Sequence, residues 1–483
     1  MKAEFNKWYD QCFDQLMAEY NGNAAKSGLI RALYPALEIA ALKYYDGKKR
    51  SLKERLKWNY FLLLKKDETY TLTAKDEPNP DVIFWPSQPK HYVLQLPVYK
   101  RLQALKIKAA FISNTISLQE DFKKDGVNYL KVTTKSAAKS RIAIWRENLE
   151  IIKRSKAFAP FKTDKYTIHF SEVIADALTY RMPCDKSVAM FNELVKVAKP
   201  KVMFLGYAFS TVSMSLDKIC AEKGITTTSL QMGRMNYYFF KYSFLRVFYA
   251  YGAEVAENIK SIKKEVDCVG VGSIKMEITA TSPDREYVDG MVADIRKTYK
   301  YLGLVSFSGP GLSVSVKNHQ QNLAILKQMI EEHPEVYFVI KFHGKDNLKY
   351  YTDFQGLANH IIIDQTHKVY QFDIMHLIKN CDFMISGAST TIIEATYWDK
   401  PVLSVDALHE LDAIALVNEP FLYRCHSFDD AQKALNSIQS KDDVLQSKMK
   451  HSTVYADKTF IRGEIQPTEL VALDVQKRLK PTF

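Results

Sequence analysis

Short apolar runs that close on glycine or hydroxyl residues alternate with helix-patterned segments through most of this chain, and the alternation runs through twice. In the first half "DVIFW" (from Asp81), "IKAAFIS", "KPKVMFLGY", "ITTTSLQMG", "RVFYAYG" and "VDCVGVGS" are strand-like, and "YVLQLPVYKRLQAL" and "VSMSLDKICAEKG" carry helical spacing between them. From Tyr301 the pattern restarts with "YLGLVSFSG", the helix "NHQQNLAILKQMIEEHP", the strands "VYFVIKFH" and "HIIID", the helix "YQFDIMHLIKN", the strand "CDFMISG", the helix "TTIIEATYWD" and the strand "KPVLSVD". Strands that alternate with helices imply parallel βαβ units under helical cover. The expected fold class is therefore α/β, with two doubly wound domains preceded by a helical extension. Ligands of such sheets bind outside the carboxyl ends of the strands, so two facing sheets are expected to hold a cleft between them.

The expected divisions follow the texture. Residues 1–75 read as helices, since "FNKWYDQCFDQLMAEY", "SGLIRALYPALEIAALKYY" and "SLKERLKWNYFLLLKK" place apolar residues three to four apart. "AKDEPNPD" is a turn-rich break. The first α/β domain is expected over 76–270 and the second over 271–450, with the seam in the polar stretch "SIKMEITATSPDRE". Residues 451–483 are expected to supply a helix that packs back on the first domain.

A chain of 483 residues, 47% apolar and 12% aromatic, is long and hydrophobic enough for more than one core. No apolar run reaches the roughly 20 residues of a membrane helix, and the N-terminus has no signal-peptide pattern. The six cysteines are scattered with no pair at metal-ligand spacing, which reads as reduced thiols of a cytoplasmic protein. Much of the net charge of +12 lies early, including "DGKKRSLKERLKW" (Lys48, Lys49, Arg50, Lys53, Arg55, Lys57) beside Trp58, Tyr60 and Phe61. That run fits either a helix resting on an anionic inner-membrane surface, as a peripheral protein would, or an ordinary solvated face. No nucleic-acid partner is expected, because no zinc-finger, RNA-recognition or helix-turn-helix signature is present.

The stretch "MISGASTTIIEATYWDKPVL" (Met384–Leu403) carries the strongest chemical signal. A strand ending in "SGAS" with a helix opening at "TTIIEA" presents free backbone N–H groups and the positive end of a helix dipole, which favours a phosphate. Ser386, Ser389, Thr390 and Thr391 add hydroxyls, and Gly387 permits close approach. Thr391 and Glu394 equally fit a capping box. Upstream, "VIKFHG" puts Lys341 and His343 on one side of a strand end. "VSFSGPG" supplies a second phosphate-compatible turn with Ser306, Ser308, Gly309 and Gly311.

Taken in that order, these motifs resemble the nucleotide-binding half of GT-B glycosyltransferases, particularly bacterial enzymes of capsule and lipopolysaccharide synthesis. Those often carry Lys-x-His-Pro, then Ser-x-x-Ser-Thr with a glutamate about five residues on, then Gly-Lys-Pro-Val. Here Gly344 follows His343 where the family often has proline, and Asp399 stands where glycine is common before Lys400 and Pro401. The front half is similar too: His91 occupies the place of a histidine that often precedes the first helix. "GITTTSLQMGR" is similar to the Gly-Ile-Pro-(x)-Gln-His-Gly segment of capsule-type members, with Met232 where histidine is usual. The resemblance spans roughly Asp81 to Asp406. It implies two Rossmann-like domains, an acceptor domain at 76–270 and a nucleotide-sugar donor domain at 271–450. Ser389 to Thr391 would hold the leaving phosphate, and Glu394 would bind the donor ribose or orient the loop.

Glycosyl transfer to a hydroxyl needs a base, and an imidazole near its unperturbed pKa of ~6.5 is well matched. His91 is the expected catalytic base, with Glu172 next and Asp176 and Asp164 as further rivals; His169 reads as structural. Leaving-group charge would be met by the helix start at Thr391 with Lys341 and His343, so neither metal nor cofactor is expected. The expected activity is transfer of a sugar from a nucleotide-sugar to a surface-polysaccharide or lipid-linked glycan acceptor, by preference with inversion. The Lys-x-His element is similar to that of enzymes using CMP-activated Kdo or sialic acid. Alternatives are a CDP-glycerol or CDP-ribitol phosphotransferase and a twin-Rossmann binding protein without turnover. A nonhydrolysing UDP-GlcNAc 2-epimerase ranks below them, because its cleft carboxylates and Arg–His set are not visible in the sequence.

Overall fold

The computed structural model describes residues 2–45, 68–74, 79–113, 115–136, 142–163, 167–233, 237–282, 284–310, 314–343, 346–367, 374–387, 389–412 and 415–480. The basic run around Trp58, the rival base Asp164 and Gly311 lie outside the described residues. No described helix is long and apolar enough to cross a membrane.

The chain divides into two compact units. One holds Met1–Ala250, Val255–Val271 and Ile465–Phe483; the other holds Tyr251–Glu254 and Gly272–Glu464. After the short piece Tyr251–Glu254, the second unit resumes at Gly272, at the start of the polar stretch. The C-terminal segment divides at residue 465, where 451 was expected: the helix Asp443–Thr459 belongs to the second unit and the helix Pro467–Leu479 to the first. Arg101 holds the latter helix through Glu469, at 2.8 Å.

The strands of the first unit are β1 (Glu68–Ala74), β2 (Val82–Trp85), β3 (Ala109–Ile112), β4 (Tyr129–Ser136), the short pair β5 (Phe161–Lys162) and β6 (Thr167–Ile168), β7 (Val202–Leu205), β8 (Thr226–Leu230), β9 (Val247–Ala250) and β10 (Asp267–Gly270). Eight of them form one sheet in the order β1-β4-β3-β2-β7-β8-β9-β10. All its neighbours are parallel except β1, which runs antiparallel to β4. β1 corrects the all-helical expectation for residues 1–75. Its Tyr70 and Leu72 are buried while Thr71 is exposed, a period of two that only a strand can place on one face.

The N-terminal helices Lys2–Glu19, Ala24–Ala32 and Tyr34–Tyr45 are no appendage. Phe5, Phe13, Leu16 and Tyr34 share one hydrophobic cluster with Ile83, Met203 and Phe248 of the sheet. On the other face Phe111, Phe84, Phe204 and Tyr249 stack in a row of nearly parallel rings. Arg31 pins the second helix from within: its guanidinium donates to the carbonyls of Tyr242 (2.5 Å) and Met214 (2.9 Å) and to the Asp217 carboxylate (3.1 Å). Asp217, fully buried, also accepts from the Ser243 hydroxyl and the Phe244 N–H.

The second unit contains β11 (Tyr301–Ser306), β12 (Val336–Lys341), β13 (His360–Ile363), β14 (Phe383–Ser386), β15 (Val402–Val405) and β16 (Leu422–Cys425). They form a fully parallel sheet in the order β13-β12-β11-β14-β15-β16. Successive residues feed opposite cores: Leu302, Leu304, Met384 and Val402 on one face, Val305, Phe383, Ile385 and Leu403 on the other. Gly303 leaves room for the Phe383 ring, which a Cβ there would meet at 2.7 Å.

Losing one half of a buried ion pair leaves the other charge uncompensated, at about 3–5 kcal/mol. Arg31→Met is expected to lower the unfolding free energy in urea by about that much, and adding Asp217→Leu should recover a substantial part of it. A single variant as stable as wild type would show that the pair does not anchor the helix.

Candidate functional site

Both sheets reverse their winding part-way across, and a doubly wound sheet opens a crevice at such a reversal. In the second unit it lies between β11 and β14. The last residues of these strands, Ser306 and Ser386, sit side by side in register. β12 lies on the other side of β11, with Ile340 paired to Val305, so Lys341 ends the neighbouring strand. Three motifs far apart in sequence thus arrive at adjacent carboxyl ends.

The individual residues divide. Ser386 is fully buried and its hydroxyl donates to the Ser306 carbonyl at 3.0 Å, so it ties the strands together. That corrects the expectation of a ligand-facing hydroxyl at Ser386. Gly387 has no enforced conformation: a Cβ there would meet only Leu411 Cδ1, at an ordinary 3.6 Å. Ser389 and Ser308 are half-buried, Lys341 is half-buried, and Thr390 and His343 are exposed.

The capping box is not formed. The helix Thr391–Tyr397 has Thr390 at its N-cap without a side-chain cap bond, and the Thr391 N–H reaches Ser389 Oγ only at 3.4 Å. Glu394 turns instead to Lys275, whose Nζ lies 2.7 Å from its carboxylate; the glutamate side chain is 2% exposed. The Thr391 hydroxyl is buried with no hydrogen-bond partner among the described residues. A buried hydroxyl without a partner costs about 1–3 kcal/mol.

The other helix start of this crevice is filled. The helix Val316–Glu332 is capped by Ser315, whose Oγ accepts from the Asn318 N–H at 3.1 Å. The Glu410 carboxylate accepts from the Ser315 N–H at 2.6 Å and from Asn318 Nδ2 at 3.3 Å. Asp406 organises the loop that brings Glu410 there, accepting from Asn318 Nδ2 (2.6 Å) and the Leu411 N–H (2.8 Å). A protein carboxylate already uses that dipole, so an anion is disfavoured there and favoured after β14. Sequence reading missed Glu410, Asp406 and Lys275, and no local motif marks them.

At the ends of β15 and β16, His409, Asp412 and His426 bring three ligand atoms within 4.8 Å of one another. The two imidazoles are stacked at 3.7 Å with planes 18° apart. Each lone pair lies in its own ring plane and these planes are nearly parallel, so one ion could not lie in both without turning a ring.

In the first unit the reversal falls between β2 and β7, and His91 stands there. It lies in the first turn of the helix Pro89–Ala104, 3% exposed. Its Nδ1 accepts from the Ser87 N–H at 3.3 Å and lies 2.9 Å from Ser87 Oγ. Because a backbone N–H only donates, the neutral ring carries its proton on Nε2. Gly206, just past β7, makes the space: a Cβ there would lie 2.5 Å from His91 Nδ1. Burial, aided by the charge of Lys90, lowers the His91 pKa from 6.5 to about 4. The expectation of an imidazole near its ordinary value is thereby corrected. Glu172 is elsewhere: it sits in the first turn of the helix Phe170–Ala177, which follows β6 and packs on the helix Tyr34–Tyr45, and not at a strand end of the eight-stranded sheet. Its backbone carbonyl accepts from Tyr44 at 3.4 Å.

No protein-family model matches the chain, and no curated protein matches it. Among solved structures it is similar to the S. aureus MnaA–UDP co-structure, with a TM-score of 0.54 and 12% identity, covering 83% of this chain and 97% of that one. It is also similar to a Listeria monocytogenes structure named for UDP-N-acetylglucosamine 2-epimerase, with a TM-score of 0.51 and 10% identity over 82% of this chain and 95% of that one. Phytolacca americana UGT2 complexed with UDP-2fluoro-glucose and pterostilbene aligns with a TM-score of 0.49 and 10% identity, over 83% and 100% of the two chains. The fold is GT-B. Its two Rossmann-like domains are the two units described above.

The depressed His91 pKa makes a stability prediction. As pH falls below 6.5 the unfolded chain's histidine takes up a proton that the folded chain refuses until about 4. Stability is therefore full above pH 6.5 and falls by about 1.4 kcal/mol per pH unit below it. Urea unfolding at pH 7 and pH 5 should show about 2 kcal/mol of this loss in wild type and its absence in His91→Gln; equal loss in both would remove His91 as the cause.

Proposed function

We propose that this chain is a glycosyltransferase that moves a sugar from a nucleotide-activated donor to a surface-polysaccharide or lipid-linked glycan acceptor. The observation that supports it best is the convergence at the β11–β14 reversal. Lys341, the turn with Ser308 and Gly309, and the uncapped helix start with the partnerless Thr391 hydroxyl all come from neighbouring strand ends of a GT-B fold. Donors of that kind suit a phosphate ester: hydroxyl and N–H groups meet its oxygens, and a lysine meets its charge. In the reaction the acceptor oxygen bonds to the anomeric carbon as the bond from that carbon to the phosphate oxygen breaks. The new charge stays on the phosphate, where these groups lower its energy.

The acceptor proton needs a base, and His91 remains the assigned one, acting through Ser87. With Nε2 already protonated, the available lone pair is on Nδ1, which the Ser87 hydroxyl faces. The acceptor proton would pass to Ser87 Oγ as Ser87 gives its own to Nδ1. A base with a pKa near 4 is weak but is in its basic form throughout the neutral range, so the acid limb of kcat/KM belongs near pH 4 and not near 6.5. Glu172 is the second candidate, and CMP-linked acidic sugars such as Kdo or sialic acid are the first donors to test.

The test is a thermal-shift and hydrolysis panel of CMP-, CDP-, UDP- and GDP-sugars with wild type, Thr391→Val and His91→Ala. One nucleotide class should stabilise wild type, Thr391→Val should weaken that binding about tenfold, and His91→Ala should keep binding while losing at least a hundredfold in transfer. Epimerised donor in place of transferred sugar would establish the epimerase reading; a CDP-polyol response with phosphate transfer would establish the phosphotransferase. Silence across the panel would leave a binding protein.

A further inference from the structure

The turn after β11 and the strand end of β12 carry different donors of the proposed phosphate site, and one buried residue, Asp346, touches both. Asp346, with its side chain 1% exposed, accepts from His319 Nε2 at 3.1 Å, from the Tyr351 hydroxyl at 2.5 Å and from the Asn347 N–H at 2.8 Å. Its own N–H donates to the His343 carbonyl at 2.8 Å, fixing it to the Lys341–His343 strand end. Gly309 lies against it from the other loop: at φ +69° a Cβ would meet Asp346 Cα and Cβ at 3.1 Å. His319, 2% exposed on the helix Val316–Glu332, is held edge-on by Phe307 and Tyr350. Burial alone would raise the Asp346 carboxyl, but the bonds from His319 and Tyr351 outweigh it and hold the pKa below the ordinary range.

A permanent anion this close to a phosphate-binding turn would repel the ligand if it faced it. Its charge is instead consumed by three donors turned inward. We infer that Asp346 and His319 are positioning residues of the donor site. They set the spacing between the Ser308–Gly309 turn and the Lys341–His343 strand end, and so the affinity for the nucleotide's phosphates but not for its nucleoside. This rests on the reading of that site as a nucleotide-sugar site. The mechanism is geometric: a loop displaced by an ångström loses the hydrogen bonds it was meant to make, whatever its composition.

The experiment measures dissociation constants of UDP and CMP by calorimetry, and binding of uridine and cytidine by saturation-transfer NMR. It compares wild type, His319→Leu, His319→Gln and Asp346→Asn. The expected result for His319→Leu and Asp346→Asn is about a tenfold loss for the bound nucleotide with nucleoside binding unchanged. His319→Gln, which can still donate to the carboxylate, should recover most of the loss. Should His319→Leu fail to fold, Asp346→Asn carries the same expectation. Unchanged nucleotide affinity in a folded variant overturns the inference, as does a parallel loss of nucleotide and nucleoside. If wild type binds neither nucleotide, the donor-site reading itself falls, a result distinct from failure of the variants alone.

Discussion

A fully parallel sheet admits only one kind of edge where loops can gather chemistry, and the second unit is built around that limit. Each strand must be followed by a crossover, so each carboxyl end is a turn leading into a helix or loop. The hydrogen bond from Ser386 to the Ser306 carbonyl closes the central pair of strands at that edge. Everything assigned to the donor site hangs from it: the turn after Ser306, the helix start after Ser386 and, one strand over, Lys341. The small side chains at 306 and 386 keep the backbone ends close, and the fully buried hydroxyl stays satisfied without a ligand.

Two helix starts flank this reversal, and their electrostatic fates differ. At Val316 the free N–H groups and the dipole are met by Ser315 and by a carboxylate, Glu410, brought in by a loop that Asp406 folds. At Thr391 the N-cap Thr390 makes no side-chain cap bond, Ser389 Oγ accepts only a long 3.4 Å bond, and a buried hydroxyl is left without a partner among the described residues. The sheet topology alone makes both positions candidates. The choice between them is made by Glu410, a residue from the far side of β15. Glu394 is likewise not available as a cap, because the distant Lys275 ammonium has already fixed it.

β2, β3 and β7 to β15 were legible in the sequence because most are short apolar runs between turn residues, and the motifs were legible because each lies within a few residues; β4 and β16, broken by lysines or an arginine, and the two-residue strands β5 and β6 were not. β1 was not, since a seven-residue Thr–Tyr–Leu alternation next to helical segments carries little weight until β4 pairs with it. The tying and selecting residues were not legible either. Lys275 meets Glu394 across 119 residues, Ser315 meets Glu410 across 95, and His319 meets Asp346 across 27. No local pattern encodes such pairings. The same reason explains Ser386: its hydroxyl looked like a ligand group because its true acceptor is the carbonyl of a strand end 80 residues earlier.

The two units use the same topological position for opposite electrostatic ends. At the β2–β7 reversal the space is filled by His91, kept neutral by burial and seated against a glycine with no side chain to give way. At the β11–β14 reversal the space is lined with hydroxyls, a lysine and an unused helix start. A neutral, desolvated imidazole suits a site where an uncharged hydroxyl loses a proton, because it neither attracts the phosphates nor spends its lone pair on a carboxylate. A donor-rich edge suits the group that takes up charge. In the proposed transfer reaction one fold used twice would separate proton removal from charge acceptance in this way, since each reversal sets its own dielectric and its own donors.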